Sequence, residues 1–109
     1  MPLFPGCDPA LPYEEREPCA DRKMLEHIYG NIRYPQHART YDVEGLAVVS
    51  FIIEEDGSVE DIKVVRGLDA DIAAEIVRMV KTMPLWEPGR VDEEAVRVQF
   101  NLPVRFKLT

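Results

Sequence analysis

The stretch LAVVSFIIEEDGSVEDIKVV, residues 46 to 65, determines the predicted fold. Two runs rich in β-branched residues flank an acidic turn that contains Gly57, which is typical of a β-hairpin whose glycine supplies the positive φ. Both alternating phases of the first run are largely apolar, so we expect a central strand that is buried on both sides. The second run, residues 59 to 66, is more polar, and this favours an edge position.

A second strand signal closes the chain in VRVQFNLPVRFKL, residues 96 to 108. Apolar residues occupy every second position, so we predict one long strand with one buried face. Pro103 has no backbone N–H and would leave a gap in a ladder that paired the strand on both sides. The pattern therefore predicts that this strand lies at an edge of the sheet.

Two helices are predicted from apolar residues at helical spacing. The first follows Asp21, which can act as its N-cap. Its apolar face comprises Met24, Leu25, Ile28, Tyr29 and Ile32. The second is capped by Asp69 or Asp71 and stopped by Pro84, and Trp86 in the turn that follows is expected to be a packing anchor.

The order hairpin, helix, strand predicts an α+β fold. Two helices pack on one face of a three-stranded antiparallel sheet in the order 2-1-3, with the C-terminal strand at the edge. Residues 1–20 contain five prolines and no sustained period, so they are predicted to form an extended arm. The domain itself is predicted to comprise residues 21–109.

Cys7 and Cys19 both lie in this proline-rich arm. A disulfide between them would replace missing core contacts and fasten the arm near the first helix, and we predict that bond. Two free thiols are the alternative. A zinc site formed with His27 and His37 would lack the short paired spacings that metal ligands usually show.

The composition disfavours several classes of function. The net charge is −7 and the 13 basic residues are scattered, so no nucleic-acid partner is expected. No apolar run approaches the ~20 residues that span a bilayer. Glycine-rich phosphate loops, nucleophile elbows and helix-borne metal pairs are missing from the sequence, so we expect no enzyme, no metal and no cofactor.

Several separated motifs occur in an order that resembles the C-terminal domain of the TonB family of energy transducers. They cover residues 34 to 108 and comprise Tyr34-Pro35, Glu44-Gly45, Asp56-Gly57, Val64-Val65-Arg66-Gly67, Met83-Pro84, Trp86, Pro88-Gly89 and Leu102-Pro103-Val104. The resemblance implies a periplasmic domain, tied to the inner membrane of a Gram-negative envelope by an N-terminal helix that is absent from this chain.

The resemblance also implies the partners. Such proteins couple the proton-motive force, through an inner-membrane proton-channel complex of the ExbB-ExbD type, to outer-membrane receptors that import scarce nutrients. The domain grips an N-terminal receptor segment called the TonB box. The alternative is an interaction or sensory module of an envelope regulator, which pairs through its edge strand with a second copy and forms a homodimer.

Two groups of partner-binding residues are predicted. The first is an exposed patch that resembles the receptor-contacting motif of the family and comprises Tyr34, Pro35, His37 and Arg39. An alternative role for Tyr34 is to fill the space between helix and sheet. The second group lies along the C-terminal strand, to which an extended peptide would add as a further strand, and comprises Arg97, Gln99, Asn101, Pro103 and Arg105.

Overall fold

A computed structural model describes residues 2–33, 44–67 and 69–106 of the chain. Its elements are α1 (Tyr13–Asn31), β1 (Gly45–Ile53), β2 (Val59–Arg66), α2 (Ala70–Lys81), β3 (Gly89–Val91), β4 (Glu94–Val96) and β5 (Val98–Phe106). In the described ranges, neither helix is long and apolar enough to cross a membrane.

The main sheet has the strand order β2-β1-β5, and both pairs are antiparallel. This confirms the predicted order, with the hairpin strand β1 in the centre and the C-terminal strand at an edge. One phase of β1 is completely buried and comprises Ala47, Val49, Phe51 and Ile53. Side chains from both helices join these residues in a single core, so the predicted α+β fold is confirmed.

The other face of β1 differs from the prediction. Leu46, Val48 and Ile52 are only half-buried, so the strand is central without being buried on both sides. Their cross-strand neighbours on β5 are Arg105, Pro103 and Gln99. Flanking strands and long polar side chains can shield apolar residues in part. This face of β1 therefore does not require a second layer of helices to cover it.

The hairpin turn is fixed against the segment that follows α2. Gly57 has φ +89°, and the N–H of Trp86 donates to the Gly57 carbonyl at 2.8 Å. A Cβ at residue 57 would lie 2.1 Å from the Trp86 carbonyl oxygen, so only glycine fits. Trp86 is 4% exposed and packs against Phe51 and Phe100, which confirms that it is a packing anchor.

The first helix begins earlier than predicted, at Tyr13 instead of after Asp21. The expectation of an extended arm over residues 1–20 is therefore wrong for its second half. Pro12 occupies the N-cap, and Glu14 with Glu15 places negative charge in the first turn, where the helix dipole favours it. Pro18 removes one backbone donor inside the helix, but the bonded Cys19 and the buried Ala20 hold this turn in place.

The segment before α1 is docked into the core. Leu3 and Glu87 exchange two backbone hydrogen bonds of 2.9 Å each. Leu3 and Phe4 are buried, and the Phe4 ring meets Trp86 edge-on at 5.3 Å. The predicted bond between Cys7 and Cys19 is present, with Cα atoms 6.2 Å apart. This segment is thus fastened both covalently and by its own apolar residues.

The C-terminal strand is shorter than the period-2 pattern predicts. Val96 belongs to β4, which pairs with β3, and β5 begins only at Val98. The β3–β4 turn has Asp92 and Glu93 at φ 50° and 70°, the positive values that a two-residue hairpin turn needs. At Arg97 the chain therefore passes from pairing with β3 to pairing with β1. Its apolar and polar side chains continue to alternate across this point. Lys107 and Leu108 lie outside the described residues.

Candidate functional site

The candidate site is the edge of β5 that faces away from β1. Nine consecutive residue pairs, from Gly45 with Phe106 to Ile53 with Val98, join the two strands without a register shift. Within the described part of the chain no other strand pairs with β5. Four of the predicted binding residues alternate along it with exposed side chains, namely Gln99, Asn101, Pro103 and Arg105.

The direction of the backbone groups follows from one contact. The N–H of Arg105 donates to the Tyr29 hydroxyl at 3.3 Å, so it points away from β1. Backbone groups in an antiparallel strand alternate between its two sides, which turns the N–H of Gln99 and of Asn101 outward as well. Pro103 occupies an outward position too, where its missing donor interrupts no bond to β1. This geometry explains why the strand tolerates a proline.

Side chains near the N-terminal end of β5 are tied to neighbouring groups. The Gln99 side-chain amide donates to the hydroxyl of Ser50 at 2.9 Å, which gives that buried hydroxyl a partner. Arg97 lies just before β5, not on it, and its guanidinium contacts Glu54 at 2.5 Å. That hydrogen bond raises the pKa of Arg97 above its ordinary value. Arg97 is thus a neighbour of the edge and not one of its strand positions.

The acidic run beside Arg97 has a structural role in the turn. Asp56 accepts hydrogen bonds from the backbone N–H of Ser58 at 2.9 Å and from its hydroxyl at 2.6 Å. These bonds lower the pKa of the Asp56 carboxyl, because they favour its charged form. In the described ranges, no group of three or more metal-ligating side chains is present. The run is a hydrogen-bonded loop tip, as its hairpin position predicts.

The first predicted binding group is the exposed patch around Tyr34. Tyr34, Pro35, His37 and Arg39 all lie outside the described residues. The exposed patch that they were expected to form therefore stays a prediction.

Tyr29 is a residue of this edge that the sequence did not reveal. Helical spacing assigned it, with Leu25, to the buried face of α1, but the two side chains are 51% and 47% exposed. The face that is buried holds Ala20, Met24 and Ile28. A tyrosine at the border of an apolar stripe has a hydroxyl group that usually forms a hydrogen bond. This property was the only sequence feature that could have indicated a contact of Tyr29 with the sheet.

His27 of α1 is hydrogen-bonded to Thr82 at the C-terminal end of α2. Thr82 donates its hydroxyl proton to the Met79 carbonyl at 2.6 Å, so its oxygen can only accept from His27 Nε2, 3.1 Å away. Nε2 thus carries the proton, and Nδ1 can accept from the Asn31 amide at 3.4 Å. Burial lowers the pKa of His27, since it disfavours the imidazolium form.

Comparison with known proteins agrees with the motifs in the sequence. Two curated proteins of Helicobacter pylori, from strains J99 and 26695, are both named Protein TonB and are each 52% identical to this chain over 50 residues. The matched segment is 46% of this chain but only 18% of either relative. The chain therefore corresponds to a small part of these proteins.

Two NMR solution structures of the Helicobacter pylori TonB C-terminal domain are similar to this fold. One has a TM-score of 0.55 at 31% identity and covers 76% of this chain and 89% of that chain. The other has a TM-score of 0.59 at 29% identity, with coverages of 93% and 87%. The family described as Gram-negative bacterial TonB protein C-terminal matches residues 30–108, and this chain therefore belongs to that family.

Proposed function

We propose that this chain is the receptor-binding domain of a TonB-type energy transducer. An extended N-terminal segment of an outer-membrane receptor, the TonB box, would add to β5 as a further strand. The observation that supports this most is the unbroken edge of nine pairs, with the N–H groups of Gln99 and Asn101 directed outward. In the proposed parent, an N-terminal helix anchors the domain in the inner membrane and contacts a proton-channel complex.

The proposed binding is of modest affinity. Each main-chain hydrogen bond contributes about 0.5 to 1.5 kcal/mol net, while association costs at least ~4 kcal/mol, so main-chain pairing alone gives a dissociation constant no tighter than about millimolar. Side-chain contacts have to contribute roughly 4 kcal/mol more for the dissociation constant to reach the micromolar order that we expect. Such an affinity suits a domain in the periplasm that must release its receptor after each transport event. Side chains along the edge, and the patch around Tyr34, would supply the choice of receptor.

The test is a pair of proline substitutions on adjacent residues of β5. In Asn101→Pro the lost N–H faces outward, so the fold should survive while binding of peptides from the N-termini of receptors encoded in the same genome is lost. In Leu102→Pro the lost N–H faces β1 and the side chain is buried at 3% exposure, so the sheet itself should fail. Circular dichroism measures folding, and fluorescence anisotropy of labelled peptides measures binding.

Two outcomes would contradict the proposal. If folded Asn101→Pro protein binds receptor peptides as the wild type does, the peptides dock elsewhere. If no receptor peptide binds, but the wild type dimerises and Asn101→Pro is monomeric, the edge pairs with a second copy, as expected for a regulator. Sedimentation of both proteins distinguishes these cases.

A further inference from the structure

Tyr29 lies beside the free edge of β5 at the C-terminal end of that strand. Its hydroxyl accepts the N–H of Arg105, and half of its side chain is exposed. In a sheet, the same N–H would donate to a carbonyl of the next strand. The hydroxyl thus occupies the position that a backbone oxygen of an added strand would need.

The outward donors of β5 are therefore few. Of the four outward positions, Pro103 has no N–H and Arg105 already donates to Tyr29. Gln99 and Asn101 remain, both in the half of the strand that is farther from Tyr29. No described residue accepts from their backbone N–H groups. As far as the described residues are concerned, the edge is open at its Gln99 end and closed at its Arg105 end.

We infer that Tyr29 is an end-stop that limits strand addition to the segment from Gln99 to Pro103. The inference rests on the proposed function and adds the length of the partner to it. Five positions of a strand span roughly 13 Å, so the paired part of the partner is an extended segment of about five residues. A longer extended segment has to leave the sheet or displace the hydroxyl of Tyr29.

The first experiment concerns the free protein. Hydrogen exchange of backbone amides is measured by NMR in the wild type, in Tyr29→Phe and in Tyr13→Phe. Tyr13 is a matched control, because it is an exposed tyrosine on the same helix. We expect the Arg105 amide to exchange about fivefold faster in Tyr29→Phe only, which corresponds to the loss of one hydrogen bond. Unchanged exchange in Tyr29→Phe overturns the end-stop.

The second experiment measures binding. The probes are a five-residue peptide, selected from a random display library against the wild type, and versions lengthened by three threonine or valine residues at either end. The short peptide should bind the wild type and Tyr29→Phe equally. One lengthened version should bind Tyr29→Phe about two- to tenfold more tightly than it binds the wild type. The reason is that the N–H of Arg105 is then available as one more donor.

The outcomes separate the two proposals. If the selected peptide protects neither the Gln99 nor the Asn101 amide from exchange, strand addition at this edge is wrong, and the end-stop falls with it. If both amides are protected but lengthening improves binding equally in the wild type and in Tyr29→Phe, strand addition stands and only the end-stop is wrong.

Discussion

The two edges of the main sheet are built differently. β2 pairs with β1 through two register shifts, and Asp61 on β2 has a φ of 51°. Such bulges twist an edge and disrupt pairing with another chain. β5 pairs with β1 through nine residues without a shift and keeps its outward donors aligned. One edge is thus protected against pairing, whereas the other is kept regular.

Both edges carry charge, but the means of protection differ. Glu60 and Lys63 project from β2, and α2 packs against that strand. On β5 the protection that the described ranges provide comes from Pro103, from Arg105 and from the hydroxyl of Tyr29 at one end. None of these three groups covers Gln99 or Asn101, whose side chains are exposed. The edge of β5 is therefore blocked only at its Arg105 end. Such partial protection is expected of an edge that pairs with a selected partner.

The largest expected effect comes from the hairpin that joins β1 to the protected edge. Gly57→Ala places a Cβ 2.1 Å from a backbone oxygen at a positive φ, and we expect it to lower the free energy of unfolding by more than about 3 kcal/mol. The control is Gly30→Ala in α1, where no atom lies within 4 Å of the new Cβ, so this change should stabilise slightly. Urea denaturation measures both, and equal stabilities would show that the turn is not held by Trp86.

The disulfide is expected to have the next largest effect. It joins residues 12 apart in sequence, and replacing both cysteines with serine should cost about 3 kcal/mol in the loop-entropy account. The bond lies on neither edge, so peptide affinity at β5 should be unchanged. Thermal melts with and without a reducing agent test the stability. An unreduced protein with two alkylatable thiols in its mass spectrum would contradict the bond.

The smallest effect concerns pH. The pKa of His27 is lowered in the fold from its ordinary value of 6.5, so the unfolded chain binds a proton more readily than the folded one. Stability attributed to His27 is therefore complete above pH 6.5 and declines as the pH falls below it. His27→Gln should show a flatter dependence of melting temperature between pH 7 and pH 5. The same slope in both proteins would assign the decline to other groups.

The parts of the fold that followed from the sequence depend on local rules. Period-2 alternation and Gly57 predicted the hairpin, and Pro103 predicted the edge, because each depends on the backbone of its own segment. The start of α1 at Tyr13 was missed, since Pro18 is a helix breaker by propensity and only the contacts of Cys19 and Ala20 override it.

The candidate site was predictable from the sequence only where it depends on the local pattern of one segment. Alternation placed Gln99, Asn101 and Arg105 on one side of the edge strand, as the structure has them. The break at Arg97 was missed because the Asp92-Glu93 turn contains no glycine or asparagine to mark it. Tyr29 reaches the edge from a residue distant in sequence, and periodicity within a helix does not report such a contact.

Strand addition at β5 is tested by comparing the backbone amides of the two edges during peptide binding. Hydrogen exchange of the wild type is followed by NMR with and without a receptor N-terminal peptide that binds. We expect the Gln99 and Asn101 amides to become protected while the outward amides of β2 exchange as before. Protection on β2, or no change on β5 despite saturation with peptide, would contradict the claim that the regular edge is the binding surface.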